Sequence, residues 1–287
     1  MTPDMEEKME AWVQAALRED IGSGDHTTIS IIPPSVKGKA VLKIKEDGVL
    51  AGVKIAEYIF QYVQPDCKFF VRKQDGDTMH PGEVAFEVET YASVILQCER
   101  LVLNTLQRMS GIATLTRSYV EKLKNYRTKI LDTRKTTPNF RLLEKEAVRI
   151  GGGMNHRFGL YDMILIKDNH IDYCGGLKEA LNRAKIYVQQ NYPNLKIEVE
   201  ARSLQDVDII LSDGAADRIL LDNFSIEDLR KAVDRINGQM KTEASGGINL
   251  GNLEAYASTG VDYISSGALI HQARSLDMSL KAVLNKK

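Results

Sequence analysis

Cysteine is scarce: Cys67, Cys98 and Cys174 are the only three in 287 residues, and no two form a C-x-x-C pair. An odd number so widely spaced builds neither a disulfide framework nor a zinc site, so the three are expected to be reduced, half-buried apolar residues. No apolar run reaches the roughly 20 residues that a bilayer-spanning helix needs, and residues 1–20 are acidic and amphipathic where a secretory leader is basic and then apolar. The expectation is a cytoplasmic protein with no membrane partner. No block of like charge occurs, and 38 Lys and Arg stand against 39 Asp and Glu for a net charge of -1, which argues against nucleic acid as a partner. Neither G-x-G-x-x-G after the first strand nor G-x-x-x-x-G-K-[ST] is present, so the dinucleotide and P-loop folds lose support.

The chain is nevertheless long enough, and with 43% apolar residues rich enough, for a large core in one domain or two. Thr2 can cap a helix with Pro3 at its first position, and Met9, Trp12, Val13, Ala16 and Leu17 recur on one helical face. A polar stretch, Gly22 to Thr27, leads to Ala40–Ile44, where Ala40, Leu42 and Ile44 alternate as a strand. A helix over Val53–Val63 and strands at Phe69–Val71 and Val84–Val88, separated by an Asp75-Gly76 turn, complete an α+β domain over a small antiparallel sheet. From about residue 92 the pattern is helical through Leu96, Leu103 and Leu106 to Gly111.

The second half repeats itself. Short apolar runs that end in a polar residue occur at 129–132, 163–167, 196–200, 218–222, 240–245 and 262–265. The last four polar ends, Glu200, Asp222, Ser245 and Ser266, lie about 22 residues apart with a helical stretch in each gap, such as Ile226–Ile236. Strand-then-helix units imply parallel strands with right-handed crossovers. The fold class is α/β: an irregular or incomplete (β/α) barrel of six units, although an open doubly wound sheet has the same local signature.

The strand ends carry two chemically distinct sets. Arg134, Lys135, His156, Arg157 and Lys167 are cationic, and arginine's planar fork with lysine's point charge suits a small polyanion bearing at least two negative charges. Glu200 and Asp222, with Glu243 close behind, offer oxygen ligands for Mg²⁺ or acceptors for ribose hydroxyls. Ser245-Gly246-Gly247 and Ser265-Ser266-Gly267 are small loops whose N–H groups can surround a phosphate. A phosphate-bearing sugar satisfies both sets together. Each residue also has a plainer role open to it: the cations as solvated loop residues, Asp222 as a helix cap, Gly151–Gly153 as a helix stop, Ser245–Gly247 as a tight turn, and His26 or His170 as structural histidines.

The motifs themselves resemble one family. Asp132-Thr133-Arg134-Lys135-Thr136, Glu144-Lys145, Ala147-Val148, Gly151-Gly152-Gly153, Asn155-His156-Arg157 and Ile166-Lys167-Asp168-Asn169-His170 are similar to the quinolinate phosphoribosyltransferases. Glu99-Arg100, Ser110-Gly111-Ile112-Ala113-Thr114, Leu221-Asp222-Asn223-Phe224 and Glu243-Ala244-Ser245-Gly246-Gly247 extend the likeness along the chain. The resemblance implies decarboxylating transfer of phosphoribosyl from phosphoribosyl pyrophosphate to quinolinate, giving nicotinate mononucleotide, pyrophosphate and CO₂ in NAD biosynthesis. It further implies Mg²⁺ as cofactor and a homodimer or hexamer in which Arg100 enters the neighbouring subunit's pocket.

By the same likeness Arg134, Thr136, His156, Arg157 and Lys167 bind substrate, Lys135 stands near the reacting centre, and Glu200 and Asp222 face ribose and Mg²⁺. Ser245, Gly246, Gly247, Ser265, Ser266 and Gly267 receive the 5′-phosphate. The domains implied are an N-terminal sandwich over 1–113, a barrel over 114–270, and a C-terminal helix over about 271–287 packed on the first domain. One departure, Pro138-Asn139 in place of proline-glycine, should be harmless because asparagine tolerates the left-handed backbone. The alternatives are a phosphoribosyltransferase-like paralogue with another acceptor, a barrel lyase using Lys135 or Lys167 as a Schiff base, and a binding barrel without activity.

Overall fold

The computed structural model describes residues 3–283; Thr2, the expected cap, and residues 284–287 of the expected C-terminal helix lie outside them. The chain divides into two compact units, one containing the residues up to Leu115, Thr137–Gly151 and the chain from Ala273, the other Thr116–Thr136 and Gly152–Gln272. The first begins with α1 (Pro3–Ile21), α2 (His26–Ile31), β1 (Lys37–Ile44), β2 (Gly48–Val49), α3 (Val53–Val63), β3 (Lys68–Val71), β4 (Thr78–Met79) and β5 (Val84–Tyr91). The division falls inside one continuous helix, α4 (Ala92–Lys122), rather than in a linker. After β6 (Lys129–Leu131) comes α5 (Arg141–Ile150) of the first unit. The second resumes with β7 (Ile164–Ile166), α6 (Asp168–Cys174), α7 (Leu177–Asn191), β8 (Ile197–Ala201), α8 (Leu204–Asp213), β9 (Arg218–Asp222) and α9 (Ile226–Ile236). It ends with β10 (Lys241–Ser245), α10 (Leu253–Ala257), β11 (Tyr263–Ser265) and α11 (Ala268–His271), and β12 (Met278–Ala282) returns to the first.

In the first unit four antiparallel strands lie in the order β12-β1-β5-β3. The expected alternation holds: Ala40, Leu42 and Ile44 are buried, and α3 covers the sheet with Ile55, Ile59 and Phe60. Phe69 and Phe86 stack at 4.5 Å between ring centroids, with Phe60 edge-on to Phe86. Asp75 does more than make a turn: its carboxylate accepts from the amides of Gly52 and Val53 at 2.7 and 2.8 Å, which satisfies the open N-terminus of α3. The polar stretch at Gly22–Thr27 likewise ends in a short helix, because Asp25 accepts from the Thr28 amide at 3.0 Å and starts α2. Asn139 takes the left-handed conformation expected of it, with φ 60°.

The segment expected as a C-terminal helix is, over its described part, strand β12. Met278 and Leu280 alternate with Ser279 and Lys281, the period of a strand, and pair with Ile44 and Leu42 of β1. Its approach also explains Gly111. A Cβ at that position of α4 would run into the carbonyl of Arg274, while Leu276 donates its amide to the Gln107 carbonyl at 3.1 Å. Only glycine lets these two backbones lie so close.

The second unit holds six parallel strands in the order β6-β11-β10-β9-β8-β7. The sheet therefore runs round from β7 to β6, the two strands first in sequence standing at its ends. A single parallel bridge, Leu131 to Met154, extends β6 on its free side. This is the incomplete barrel that the repeat implied: Ile130, Val199, Ile219, Leu221, Ala244 and Ile264 are buried on one face of the sheet, and Leu165, Glu198, Leu220 and Glu243 on the other. Ser203 and Ser225, not Glu200 and Asp222, cap α8 and α9 by accepting from the Asp206 and Asp228 amides. The acids at the two strand ends are thus released from capping. Among the described residues no helix is long and apolar enough to cross a membrane.

Candidate active site

The strand ends of the second unit surround a cavity of about 770 Å³. Arg134, Lys135, His156, Arg157 and Lys167 all line it, as do Asp222, Ser245, Gly246, Gly247, Ser265, Ser266 and Gly267. Glu200 and Thr136 stand outside that lining. Glu200 closes on the rim, 3.9 Å from the Lys167 ammonium, while Thr136 turns its hydroxyl back to the Arg134 carbonyl at 3.5 Å. Arg100 is exposed on the α4 portion of the first unit. His170 takes the structural role, its Nδ1 accepting from the Lys167 amide at 2.9 Å, and His26 opens α2.

The cationic side is crowded with like charge. Burial and the neighbouring Arg134 charge both pull the Arg157 pKa below the usual guanidinium range. Two arginines held against each other in one cavity wall are a site in want of an anion. Among the described residues the buried Nε of Arg134 has no hydrogen-bond partner, and an orphaned charged donor beside a cavity is costly unless a ligand satisfies it. Arg157 is aimed by a bond from Nη1 to the Met163 carbonyl at 3.1 Å.

On the acidic side, burial first and then the Asp222 carboxylate push the Glu200 pKa up. These carboxylates on adjacent strands repel one another, a strain that a cation or a pair of sugar hydroxyls relieves. Asp222 is oriented by Asn223, whose Nδ2 donates to it at 2.6 Å. Glu243 does not belong to this set. It is buried with Glu198 around His156, whose Nε2 lies 3.3 Å from Glu243 and 3.0 Å from Glu198. Burial opposes charge on that histidine and the two carboxylates push its pKa up to about 9, but the Arg157 amide donated to Nδ1 needs that nitrogen bare, and this contact holds the ring neutral with its proton on Nε2.

The small loops form the remaining wall. Gly246 has φ 99° and packs so closely on Asn223 that a Cβ would strike its side chain; Gly247 follows with φ 61°. Consecutive left-handed glycines present successive N–H groups to one side, an anion cradle. Ser266 ties the two loops together, donating from its hydroxyl to the Ile248 carbonyl at 3.0 Å and from its amide to the Leu131 carbonyl at 3.1 Å.

Sequence reasoning missed four residues here. Glu198 sits two positions before Glu200 on β8 and so faces the same way, a period-two signal that was available. Arg218 opens β9, where only the strand's far end drew attention. Asn223 and His271 also line the cavity; His271 lies one helical turn beyond Gly267, its ring close to the spot a Cβ there would fill.

Residues 25–110 match the family described as quinolinate phosphoribosyl transferase, N-terminal domain, and residues 112–281 match its C-terminal domain. A quinolinate phosphoribosyltransferase [decarboxylating] of Nicotiana tabacum is 44% identical over 284 residues, covering 94% of this chain and 81% of that protein. A probable nicotinate-nucleotide pyrophosphorylase [carboxylating] of Bacillus subtilis is 44% identical over 269 residues, covering 94% and 91%. Among solved structures, NadC from Streptococcus pyogenes superposes with a TM-score of 0.89 at 40% identity, covering 98% of this chain and 97% of that one.

Proposed function

The chain belongs to the quinolinate phosphoribosyltransferase family, and we propose that the cavity at the strand ends of the second unit is where its two substrates meet. The activity is the decarboxylating transfer of phosphoribosyl from phosphoribosyl pyrophosphate to quinolinate, a step of NAD biosynthesis. The observation that carries the assignment to this cavity is the mutually repelling Arg134–Arg157 pair with its orphaned Nε. A pyridine 2,3-dicarboxylate brings two adjacent carboxylates and answers both features.

In this reading Arg134 and Arg157 take the quinolinate carboxylates, with Lys167 and His156 beside them and Thr136 shaping the loop. The sugar phosphate lies across Asp222 and Glu200, its 5′-phosphate on Ser245–Gly247 and Ser265–Gly267. The ring nitrogen's lone pair forms a bond to ribose C1 as the bond to pyrophosphate breaks, the leaving group keeping that electron pair. Positive charge develops on the sugar, and Glu200 and Asp222 stabilise it, while Lys135 stabilises the departing pyrophosphate and the loop N–H groups hold the 5′-phosphate that stays on the ribose. The alkylated ring nitrogen then stabilises the pair left on C2 when the C2–carboxylate bond breaks and CO₂ departs. Lys135 gives C2 its proton.

Mg²⁺ fits Glu200 and Asp222, whose carboxylate oxygens and mutual repulsion suit a hard cation, and when bound it neutralises pyrophosphate charge. The working assembly is at least a homodimer, with Arg100 of one copy reaching the cavity of another; its exposure on α4 supports this. The test is an assay of purified protein with phosphoribosyl pyrophosphate, Mg²⁺ and either quinolinate or nicotinic acid. Nicotinate mononucleotide and CO₂ from quinolinate alone are expected, and equal use of nicotinic acid would overturn the dicarboxylate assignment.

A further inference from the structure

We propose that Glu198, Glu243 and Arg218 form a buried charged floor that positions His156, and through it Arg157, for the carboxylated substrate; this rests on the reading of the cavity given above. The three come from neighbouring strands: Glu198 from β8, Arg218 from β9 and Glu243 from β10. The side chains of Glu198 and Glu243 are 0% and 1% exposed. Arg218 donates from Nη1 to Glu243 at 2.8 Å, has its Nε 3.9 Å from Glu198, and lies over the Tyr263 ring at 4.5 Å from the centroid.

His156 is the link from this floor to the cavity wall. Its Nε2 faces both carboxylates, its Nδ1 accepts from the Arg157 amide at 2.7 Å, and its own amide donates to Asp132 at 2.8 Å. Both ring nitrogens are therefore engaged within the chain, and the ring holds the Arg157 backbone at a fixed distance from the floor. Because Nδ1 is accepting, the ring proton belongs on Nε2, one donor for two carboxylates. Among the described residues neither oxygen of Glu198 receives a well-directed hydrogen bond, despite the 3.0 Å approach. Packing alone does not call for this arrangement, since apolar side chains fill a barrel without the desolvation cost of two carboxylates. Fixed orientation of a group at the wall above them does.

A divalent cation among His156, Glu198 and Glu243 is the competing occupant, as their ligand atoms lie within 4.8 Å of one another. Arg218 already supplies positive charge to Glu243 from one side, which argues against it.

The test uses the full-length enzyme, with E198Q and E243Q, steady-state kinetics in both substrates, metal analysis and histidine-selective ¹⁵N NMR. We expect the quinolinate KM to rise about tenfold in either variant while the phosphoribosyl pyrophosphate KM stays within about twofold. In the wild type His156 should carry its proton on Nε2 with Nδ1 bare, and that signature should shift in the variants. Unchanged quinolinate KM, an equal rise in both KM values, or a stoichiometric metal removed by chelator would each overturn the proposal. Should a variant fail to fold, a proton on Nδ1 in the wild type still overturns it. The NMR signature is independent of turnover, so loss of the functional reading and loss of this one are told apart.

Discussion

Replacing Arg157 with alanine should raise the quinolinate KM at least tenfold without loosening the fold. Among the described residues its guanidinium makes one hydrogen bond within the chain, to the Met163 carbonyl at 3.1 Å, and deleting such a bond costs about 0.5–1.5 kcal/mol. Against that stands relief: the side chain is held in a half-buried site next to the like charge of Arg134, which lowers its pKa. The two effects oppose each other, so the melting temperature should stay within about 3 °C of the parent. On the substrate side, a guanidinium–carboxylate contact contributes about 1.5–3 kcal/mol. At about 1.4 kcal/mol per factor of ten, that is roughly 10- to 150-fold in quinolinate KM. Arg157→Lys should fall between, because an ammonium restores charge but not the planar fork. Steady-state kinetics in both substrates and a thermal melt suffice to decide. A quinolinate KM within about threefold of the parent, or a collapse of stability with equal loss toward both substrates, would refute the reasoning.

Glu200→Gln should raise the phosphoribosyl pyrophosphate KM while leaving quinolinate binding by calorimetry nearly intact; the opposite pattern would exchange the two halves of the site. Gly246→Ala should cost about 1–3 kcal/mol through its left-handed backbone and the Asn223 overlap, and should impair sugar-phosphate use first; a variant with parental urea midpoint and kinetics contradicts this. Gly111→Ala should lower the urea midpoint by the equivalent of about 3 kcal/mol, since neither the α4 backbone nor the Arg274 carbonyl is a flexible side-chain end that can swing aside. Borohydride reduction with carbonyl compounds should leave Lys135 and Lys167 unmodified, as mass spectrometry of tryptic peptides would report, and an adduct at either lysine would restore the lyase alternative.

The six strands of the second unit were legible because each is a short apolar run stopped by a polar residue, and burial enforces that pattern in any parallel sheet. The cavity was legible for the same reason: Arg134, Lys167, Asp222 and Ser245 mark strand ends or the turns just beyond them. The floor was not, since Glu198 and Glu243 lie inside strands and a charge within a buried run is recognisable only once its partner is placed beside it. Glu243 was grouped with the wrong acids on that account. The segment after His271 was misread because period-two alternation over Met278–Leu280 is too short to distinguish from a helix without knowing that Leu42 and Ile44 lie across from it. Asp222 illustrates the reverse case: its capping role was plausible from spacing, and only the placement of Ser225 removed it.

The pairing of β12 with β1 also bears on how the protein is made. Lys37–Ile44 emerges from the ribosome more than two hundred residues before Met278–Ala282, counted along the sequence. For that whole interval one margin of the four-stranded sheet presents bare amides and carbonyls, the surface through which nascent chains adhere to one another. The second unit, whose segments are finished by Gln272, can close its sheet first. A message truncated ahead of codon 277 would leave that margin open for good, and the product should accumulate as aggregate rather than as a shortened enzyme.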